Sequence, residues 1–440
     1  MLGVLPRVAA NPLQAFAELS RRYGDLYRFD VGPVPVHVLT NPDHLKHVLA
    51  TNNRNYWKGP VFERTRLLFG KGLVISEGEA WQRQRRIMAP SFQRERIAHL
   101  VSIMADEVRK RMRRFEQALG DGEPVDMQLQ MMTITLNIVI KAMFSFSIDD
   151  DEVEEVANAF SVILKHIDLR FLTFFLPEWV PLPGRAEAQR ALQTLDGVVR
   201  RVIEQRRREP GQHDDLLEAL MQGRDADTGE RMTDEQLRDE TVTTFFGGYE
   251  ATANALAWTW TLLAEHRDVA REVQRECLTH VPDDSSPSLD GLLALSYTEQ
   301  VINESMRLYP PFWISFRTSY EEDTIGGYRI PPRAPLVLCH YLAHRHPDFW
   351  RDPESFDPDR FSPERTEQRP RHYLAPFGVG QRMCIGKHFA MLEMKLILSM
   401  VVRRYRLELV EGRPVEPFPR ATLRSRDGIW MSVHQAEAMT

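Results

Sequence analysis

The chain has 440 residues, 43% of them hydrophobic, which is ample for a large buried core. A formal net charge of -6 argues against nucleic acid as a partner. Three cysteines, Cys277, Cys339 and Cys384, are too few and too odd in number for a disulfide framework, so a reducing cytoplasm is the expected compartment. Length alone suggests about three domains. No repeat, low-complexity block or Gly/Ser- or Pro-rich linker divides the chain, and one large, mostly helical unit is expected instead. The apolar start, 1–11, is broken by Pro6 and Arg7 and is too short for a transmembrane helix or a signal peptide; no membrane anchor is expected.

In chain order, 26–31 and 36–40 gather β-branched and aromatic residues around Gly32-Pro33 and predict a hairpin. Asn41-Pro42 then opens a helix, with Asn at the cap and Pro at the first position. Residues 55–75 mix glycine, aromatic and basic residues without a clear period. A helix over 79–88 places Trp81 and Arg85, four apart, on one face. Helical patterns continue over 97–118 and 127–146, and the basic run at 109–114, interrupted by a helix-phase apolar residue, reads as a solvated face. Phe171, Phe174, Phe175, Leu176, Trp179 and Val180, ending in Pro181-Leu182-Pro183-Gly184, do not look like a solvated surface.

Thr233 with Gln236 makes a capping box for a helix running to about His266, long enough to cross the molecule. Phe245, Phe246, Tyr249, Ala253, Leu256, Trp260 and Leu263 recur along it at near-helical spacing, and Gly247-Gly248 sits in its interior. Paired glycines weaken a helix and allow a kink. Close packing against another helix and close approach to a ligand both explain them. Ser296 and Glu299 form a second capping box for a helix carrying Glu304 and Arg307, which share a face and can pair before Pro310 stops it. His340, His344 and His346 suggest either a metal or structural packing, and packing is the reading preferred.

The densest signal is Phe377-Gly378-Val379-Gly380-Gln381-Arg382-Met383-Cys384-Ile385-Gly386. Ile385, Phe389, Leu392, Leu396 and Met400 follow at three- and four-residue steps, so Cys384 falls at a helix N-terminus, where backbone N–H groups favour a thiolate. Gly380 can take a positive φ, and Gly386 lacks the Cβ that would keep a flat ligand from the backbone. Arg382 adds a fixed charge suited to a carboxylate. A zinc site through Cys384 and His388 lacks a second ligand pair.

This arrangement of Phe377, Gly380, Arg382, Cys384 and Gly386 resembles the haem-binding signature of the cytochrome P450 family. The resemblance runs from the N-terminal strands to the post-cysteine helix. It implies one domain over 1–440, mainly α with small β-sheets (α+β), with haem between the long central helix and the post-cysteine helix. It implies that Cys384 is the axial thiolate ligand of haem b, with Phe377 packed near the sulfur. Arg382, the pair Trp81 and Arg85, and the strand residue Arg317 become donors to the haem propionates; an exposed Arg85 beside a half-buried Trp81, and an exposed Arg317, are the plainer readings. Glu304 and Arg307, with Arg360 of Phe356-Asp357-Pro358-Asp359-Arg360-Phe361, resemble the family's structural triad.

Gly247-Gly248-Tyr249-Glu250-Ala251-Thr252 matches the family's oxygen-binding motif, which normally reads Ala/Gly-Gly-x-Asp/Glu-Thr-Thr/Ser, and makes Gly248, Glu250, Ala251 and Thr252 the candidate catalytic positions. It departs at Ala251, where the family has threonine. Residues 55–75 become a candidate substrate wall. Phe171, Phe174, Phe175, Phe245, Tyr249, Phe312, Trp313 and Ile314 become the substrate chamber, its apolar roof implying an apolar substrate of terpenoid, fatty-acyl, steroid or macrolide type. Partial dipping of that roof into a membrane is the second reading.

The implied function is a monooxygenase that takes one oxygen atom from O2 and receives electrons from a separate ferredoxin or flavodoxin-type donor with its reductase, docking near Arg83, Arg86 and Lys387. A monomer is expected. Ala251 supports an alternative in which peroxide is the oxidant or an oxygenated substrate is rearranged. A haem-bound carrier or sensor is the non-catalytic alternative.

Overall fold

The computed structural model describes residues 5–146, 149–176, 179–213, 215–225, 229–282, 287–367 and 369–436. Its axis is the helix Asp234–Glu265, opened by the Thr233–Gln236 capping box in both directions. At 1.5 Å per residue its 32 residues span roughly 48 Å. Polar residues are not segregated to one face, because nearly every position from Asp239 to Leu263 is buried; the exceptions are Gly247, Gly248 and Ala251. A helix that is buried all round must find partners on all sides. Here they include Met127–Phe144, Arg185–Arg208 and Ser296–Leu308.

Met127–Phe144 is long and apolar enough to cross a membrane by composition, but most of it is buried inside the protein. It packs closely on the central helix, and the Thr135 hydroxyl donates to the Tyr249 carbonyl (3.2 Å). A Cβ at Gly248 would lie 2.5 Å from Cγ2 of Val139 on that helix, whereas a Cβ at Gly247 would meet nothing within 4 Å. The paired glycines therefore have different jobs. Gly248 is the helix-packing glycine, which corrects its placement among the catalytic positions, and Gly247 is on the open face. The helix runs unbroken through both. We expect Gly248→Ala to cost about 1–3 kcal/mol by overpacking against the stiff Val139 side chain. Gly247→Ala should stay within about 1 kcal/mol of the parent, on the stabilising side. Urea unfolding of both variants checks the contrast, and equal losses would contradict it.

The hairpin forms as Leu26–Val31 and Val34–Leu39, with Gly32 at φ 60° in the turn. It continues into a five-stranded sheet in the order Leu26–Val31, Val34–Leu39, Pro335–Leu338, Ser315–Ser319, Tyr56–Trp57. The second and third of these run parallel, with Val38 opposite Val337. A three-stranded sheet (Val125–Asp126, Trp430–Gln435, Tyr405–Leu409) and the hairpin Pro417–Pro419/Leu423–Ser425 close the C-terminal side. Asn41 caps its helix as expected, accepting from the Asp43 N–H (2.9 Å).

The helix Ser296–Leu308 is capped differently from expectation. Ser296 and Glu299 form no capping box. Glu276 of the helix Arg267–His280 accepts from the N–H groups of Tyr297 (2.7 Å) and Thr298 (2.8 Å), and Glu299 instead pairs with Lys395 (2.5 Å). A tertiary carboxylate has replaced the local cap, satisfying the same orphan donors. Within 55–75, the structure adds two short helices, Gly59–Glu63 and Arg66–Phe69. The loop after them is tied to the central helix, where Asp239 accepts from the Lys71 N–H (2.7 Å) and Glu240 from the Leu73 N–H (3.0 Å).

Candidate active site

Cys384 lies just before the helix Lys387–Val402, in a loop that folds back on itself so that the Cys384 N–H donates to the Phe377 carbonyl (2.8 Å). Gly380 has φ 72°, and a Cβ there would collide with the Leu49 carbonyl. Both facts demand glycine. Gly386 has an ordinary φ, and a Cβ on it would stand in van der Waals contact with Phe92 and with Cys384 Sγ (4.0 Å). Cys384 is exposed. Burial by the surrounding protein pushes its thiol up, while the Gly386 N–H, Arg85 and Lys387 pull it down. A thiolate here is favoured by a bound cation more than by the apoprotein alone.

Cationic side chains converge beside this loop. Arg382 donates to the Ser76 carbonyl (2.9 Å) and pairs with Glu77 (2.6 Å), and its guanidinium lies 4.0 Å from the centre of the Trp81 ring. Arg85 approaches the same ring at 5.6 Å. Arg317 donates to the Phe316 carbonyl (2.7 Å), and burial lowers it to about 10. Lys58, which the sequence did not single out, donates to the Val74 carbonyl; its pKa is held well below the usual lysine range by burial and by Arg382 and Arg317. Lys58, Arg317 and Arg382 thus share mainly one carboxylate, Glu77. Such a surplus of partly buried positive charge fits a ligand that brings two carboxylates, as haem does. Trp81 and Arg85 do share a face, and the structure draws Arg382 and Arg317 into the same neighbourhood.

Gly247 and Ala251, four apart, form the bare face of the central helix. Glu250 points elsewhere. It is buried, accepting from the Thr422 hydroxyl (2.7 Å) and the Asn254 amide (3.2 Å), with Arg424 at 3.8 Å. Thr252 is buried too, and an unbroken helix keeps it about 100° away from the face that Ala251 occupies. Its hydroxyl does not stand in for the one that Ala251 lacks.

Glu304 and Arg307 are both fully buried (0% exposed) and form a bidentate pair at 2.7 and 2.9 Å. Arg360 Nε reaches the same carboxylate at 3.1 Å. Arg307 also donates to the carbonyls of His344 (3.0 Å) and Pro353 (2.6 Å), and Arg360 to those of Asp352 (2.7 Å) and Ser355 (3.3 Å). Burial keeps His344 neutral, so its Nε2 accepts the Ala375 N–H (3.1 Å). A continuous path therefore runs from the three charges to the start of the cysteine loop. His340 bonds Ser315 (2.9 Å) and His346 bonds Asp25 (2.9 Å), so these histidines serve packing and sheet anchoring.

The chamber residues divide. Phe171, Phe174, Trp313 and Ile314 line one apolar cavity of about 180 Å³. Phe175 instead covers the turn at Gly32. Phe245 and Tyr249 are corrections: Phe245 packs edge-on against Phe144 (4.7 Å) and Tyr249 against Phe160 (5.3 Å), in the core between helices. Their spacing marked a buried helix face, and periodicity does not say against what. Phe312 is 42% exposed and does not line the cavity, since Trp313 turns inward to donate to the Arg420 carbonyl. Trp179 is 78% exposed, and neighbouring 177–178 lie outside the described residues. Arg83 lies 3.3 Å and Arg86 3.7 Å from Asp225, so the expected docking cations are already partly neutralised.

The sequence matches the family model for cytochrome P450 over residues 1–430. Among similar proteins are cyclooctat-9-en-7-ol 5-monooxygenase of Streptomyces melanosporofaciens, 32% identical over 94% of this chain and 88% of the relative. Pentalenene oxygenase of Streptomyces avermitilis is 32% identical over 96% of this chain and 93% of its own. A crystal structure of the cytochrome P450DA haem domain shares the fold at a TM-score of 0.86, with 24% identity over 97% of this chain and 92% of that one. Matched along nearly its whole length in sequence and in fold, the chain belongs to the cytochrome P450 family and is an oxidoreductase of the monooxygenase kind.

Proposed function

We propose that this chain is a single-domain, monomeric, cytoplasmic monooxygenase that carries haem b on Cys384 and inserts one atom of O2 into an apolar cyclic terpenoid. Electrons come from a separate ferredoxin or flavodoxin-type donor with its reductase. The observation that carries this reading is the Cys384 loop beside the cation cluster around Glu77, which offers a sulfur ligand and partners for two carboxylates; the bare Gly247–Ala251 face of the central helix suits the open side that a planar cofactor needs. Haem, once bound, supplies the activation of O2; the protein supplies position, dryness and protons. Lys58, Arg317 and Arg382 would hold its carboxylates, with Trp81 stacked under Arg382 and Arg85. The terpenoid class is supported by the relatives, whose names denote oxidation of cyclooctat-9-en-7-ol and pentalenene, and by the aromatic wall of the cavity.

Glu250 holds a proton-accepting oxygen beside the Thr422 hydroxyl, one residue from the bare face. Ala251 offers no hydroxyl there, so a substrate hydroxyl or a substrate-held water completes proton delivery. Product formed per NAD(P)H consumed tests this step. The parent enzyme should couple well with an alcohol substrate, and an analogue lacking the hydroxyl should bind but divert electrons to peroxide. Ala251→Thr should restore coupling with that analogue. Equal coupling of both substrates in the parent would sink the idea. The second reading, peroxide as the working oxidant, rests on the same Ala251. It predicts full turnover with peroxide alone, without reductant or redox partners.

A further inference from the structure

The apolar cavity is walled by Phe16, Phe29, Phe171, Phe174, Trp313 and Phe316, among other apolar groups from the N-terminal segment, the first sheet and the end of the helix Asp150–Leu172. One carboxyl interrupts this carbon surface. Asp168 lines the cavity with its side chain only 10% exposed, and its nearest cation, Arg420 Nε, stands 3.9 Å from Oδ2, beyond direct hydrogen-bond distance. The Ala421 N–H donates to it. Arg420 and Arg424 face it from the C-terminal hairpin and Glu250 from the central helix, while on its own helix His166 and Arg170 bond each other (3.1 Å) and His166 also contacts the Pro183 carbonyl (3.2 Å).

Burial raises Asp168 to about 7, with Arg420 and Arg424 opposing and Glu250 reinforcing. Near neutral pH the carboxyl is thus divided between charged and neutral forms, and neither is fully satisfied by the protein. A carboxyl with spare hydrogen-bonding capacity on an apolar wall costs free energy until a partner arrives. A hydroxyl suits both forms, since it donates to the carboxylate and accepts from the acid. A cation would meet Arg420 and Arg424, which already face this carboxyl.

We propose that Asp168 is a specificity-determining residue that anchors a hydroxyl of an otherwise apolar cyclic substrate, so that the enzyme selects a terpene alcohol over its parent hydrocarbon. This rests on the reading that the cavity admits the substrate. The anchor fixes one end of a greasy molecule that the aromatic wall alone would leave free to rotate.

The test uses the full-length haem-loaded protein with cedrol and cedrane as a matched alcohol and hydrocarbon, and dodecanoate as an anionic probe. Dissociation constants come from calorimetry and from the low-spin to high-spin spectral shift, so the readout does not depend on turnover. The parent should bind cedrol about ten- to a hundredfold more tightly than cedrane, the range expected of one hydrogen bond to an ionisable group. Asp168→Leu should erase that preference by weakening cedrol alone. The isosteric Asp168→Asn, which keeps the shape of the site, should retain part of it. An undiminished preference in both variants, or equal binding of the two terpenes by the parent, would overturn the anchor while leaving the apolar-substrate reading intact. Dodecanoate binding more tightly than cedrol, and lost in Arg420→Gln, would replace the hydroxyl site by an anion site. Failure of the parent to bind either terpene would overturn the apolar-substrate reading and the anchor together.

Discussion

Glu304→Ala is expected to give protein that is haem-poor or insoluble rather than merely slow. The substitution leaves two buried guanidinium groups, Arg307 and Arg360, without the carboxylate that both now contact, and also strands the Asp357 N–H, which donates to the same oxygen at 3.0 Å. Removing one partner of a buried, hydrogen-bonded ion group typically costs about 3–5 kcal/mol, a large share of the roughly 5–15 kcal/mol that keeps a domain folded. The damage is directed. Arg307 holds the His344 carbonyl, and the His344 ring holds the Ala375 N–H, two residues before Phe377. Loosening the triad therefore loosens the loop that presents Cys384. Glu304→Gln, which keeps acceptor and shape but not charge, should fall between parent and alanine variant. The haem-to-protein absorbance ratio and the thermal midpoint are the measurements; a fully loaded Glu304→Ala protein with the parent midpoint would contradict a structural role.

Much of this architecture was legible in the residues, for identifiable reasons. The Thr233–Gln236 cap, the Asn41 cap and the Gly32 turn are local, because each satisfies its own backbone within a few residues. The Cys384 loop was legible because glycine, arginine and cysteine stand there in a fixed spacing that few other purposes require. What stayed hidden was set by tertiary partners. Nothing in the sequence around Ser296 says that Glu276, twenty residues earlier, will cap its helix. Gly247 and Gly248 are indistinguishable as letters, and only the position of Val139 tells which is for packing. Phe245 and Tyr249 carried a true signal of burial without its direction.

Lys58 and Asp168 were missed because a lone lysine in an irregular segment and a lone aspartate in an amphipathic helix look like solvated charges. What sets them apart is the company they keep: two arginines crowding a buried ammonium, and aromatic rings around a buried carboxyl. Ala251 shows the converse. The departure from the family pattern was plain in the sequence, yet its meaning depends on whether the helix kinks, and the unbroken helix leaves Thr252 unable to compensate.

The second large effect belongs to Cys384→His. A thiolate donates electron density to iron far more strongly than a neutral imidazole does, and the Soret band of the reduced carbon monoxide complex reports that difference directly. The loop suits a small anionic ligand: the Cys384 backbone is pinned to Phe377, Gly380 is pressed against the Leu49 carbonyl, and the Gly386 N–H, Arg85 and Lys387 favour negative charge on the sulfur against the burial that raises its thiol. A neutral imidazole carries no anion for those groups to favour, and a ring is larger than the sulfur this turn presents, so the variant should retain little haem and no activity. The most direct measurement is therefore the Soret band of the reduced carbon monoxide complex, recorded for parent and Cys384→His. The parent should show the red-shifted, thiolate-type band and the variant should not. Persistence of that band in Cys384→His, or its absence from the haem-loaded parent, would contradict the assignment of Cys384 as the iron ligand.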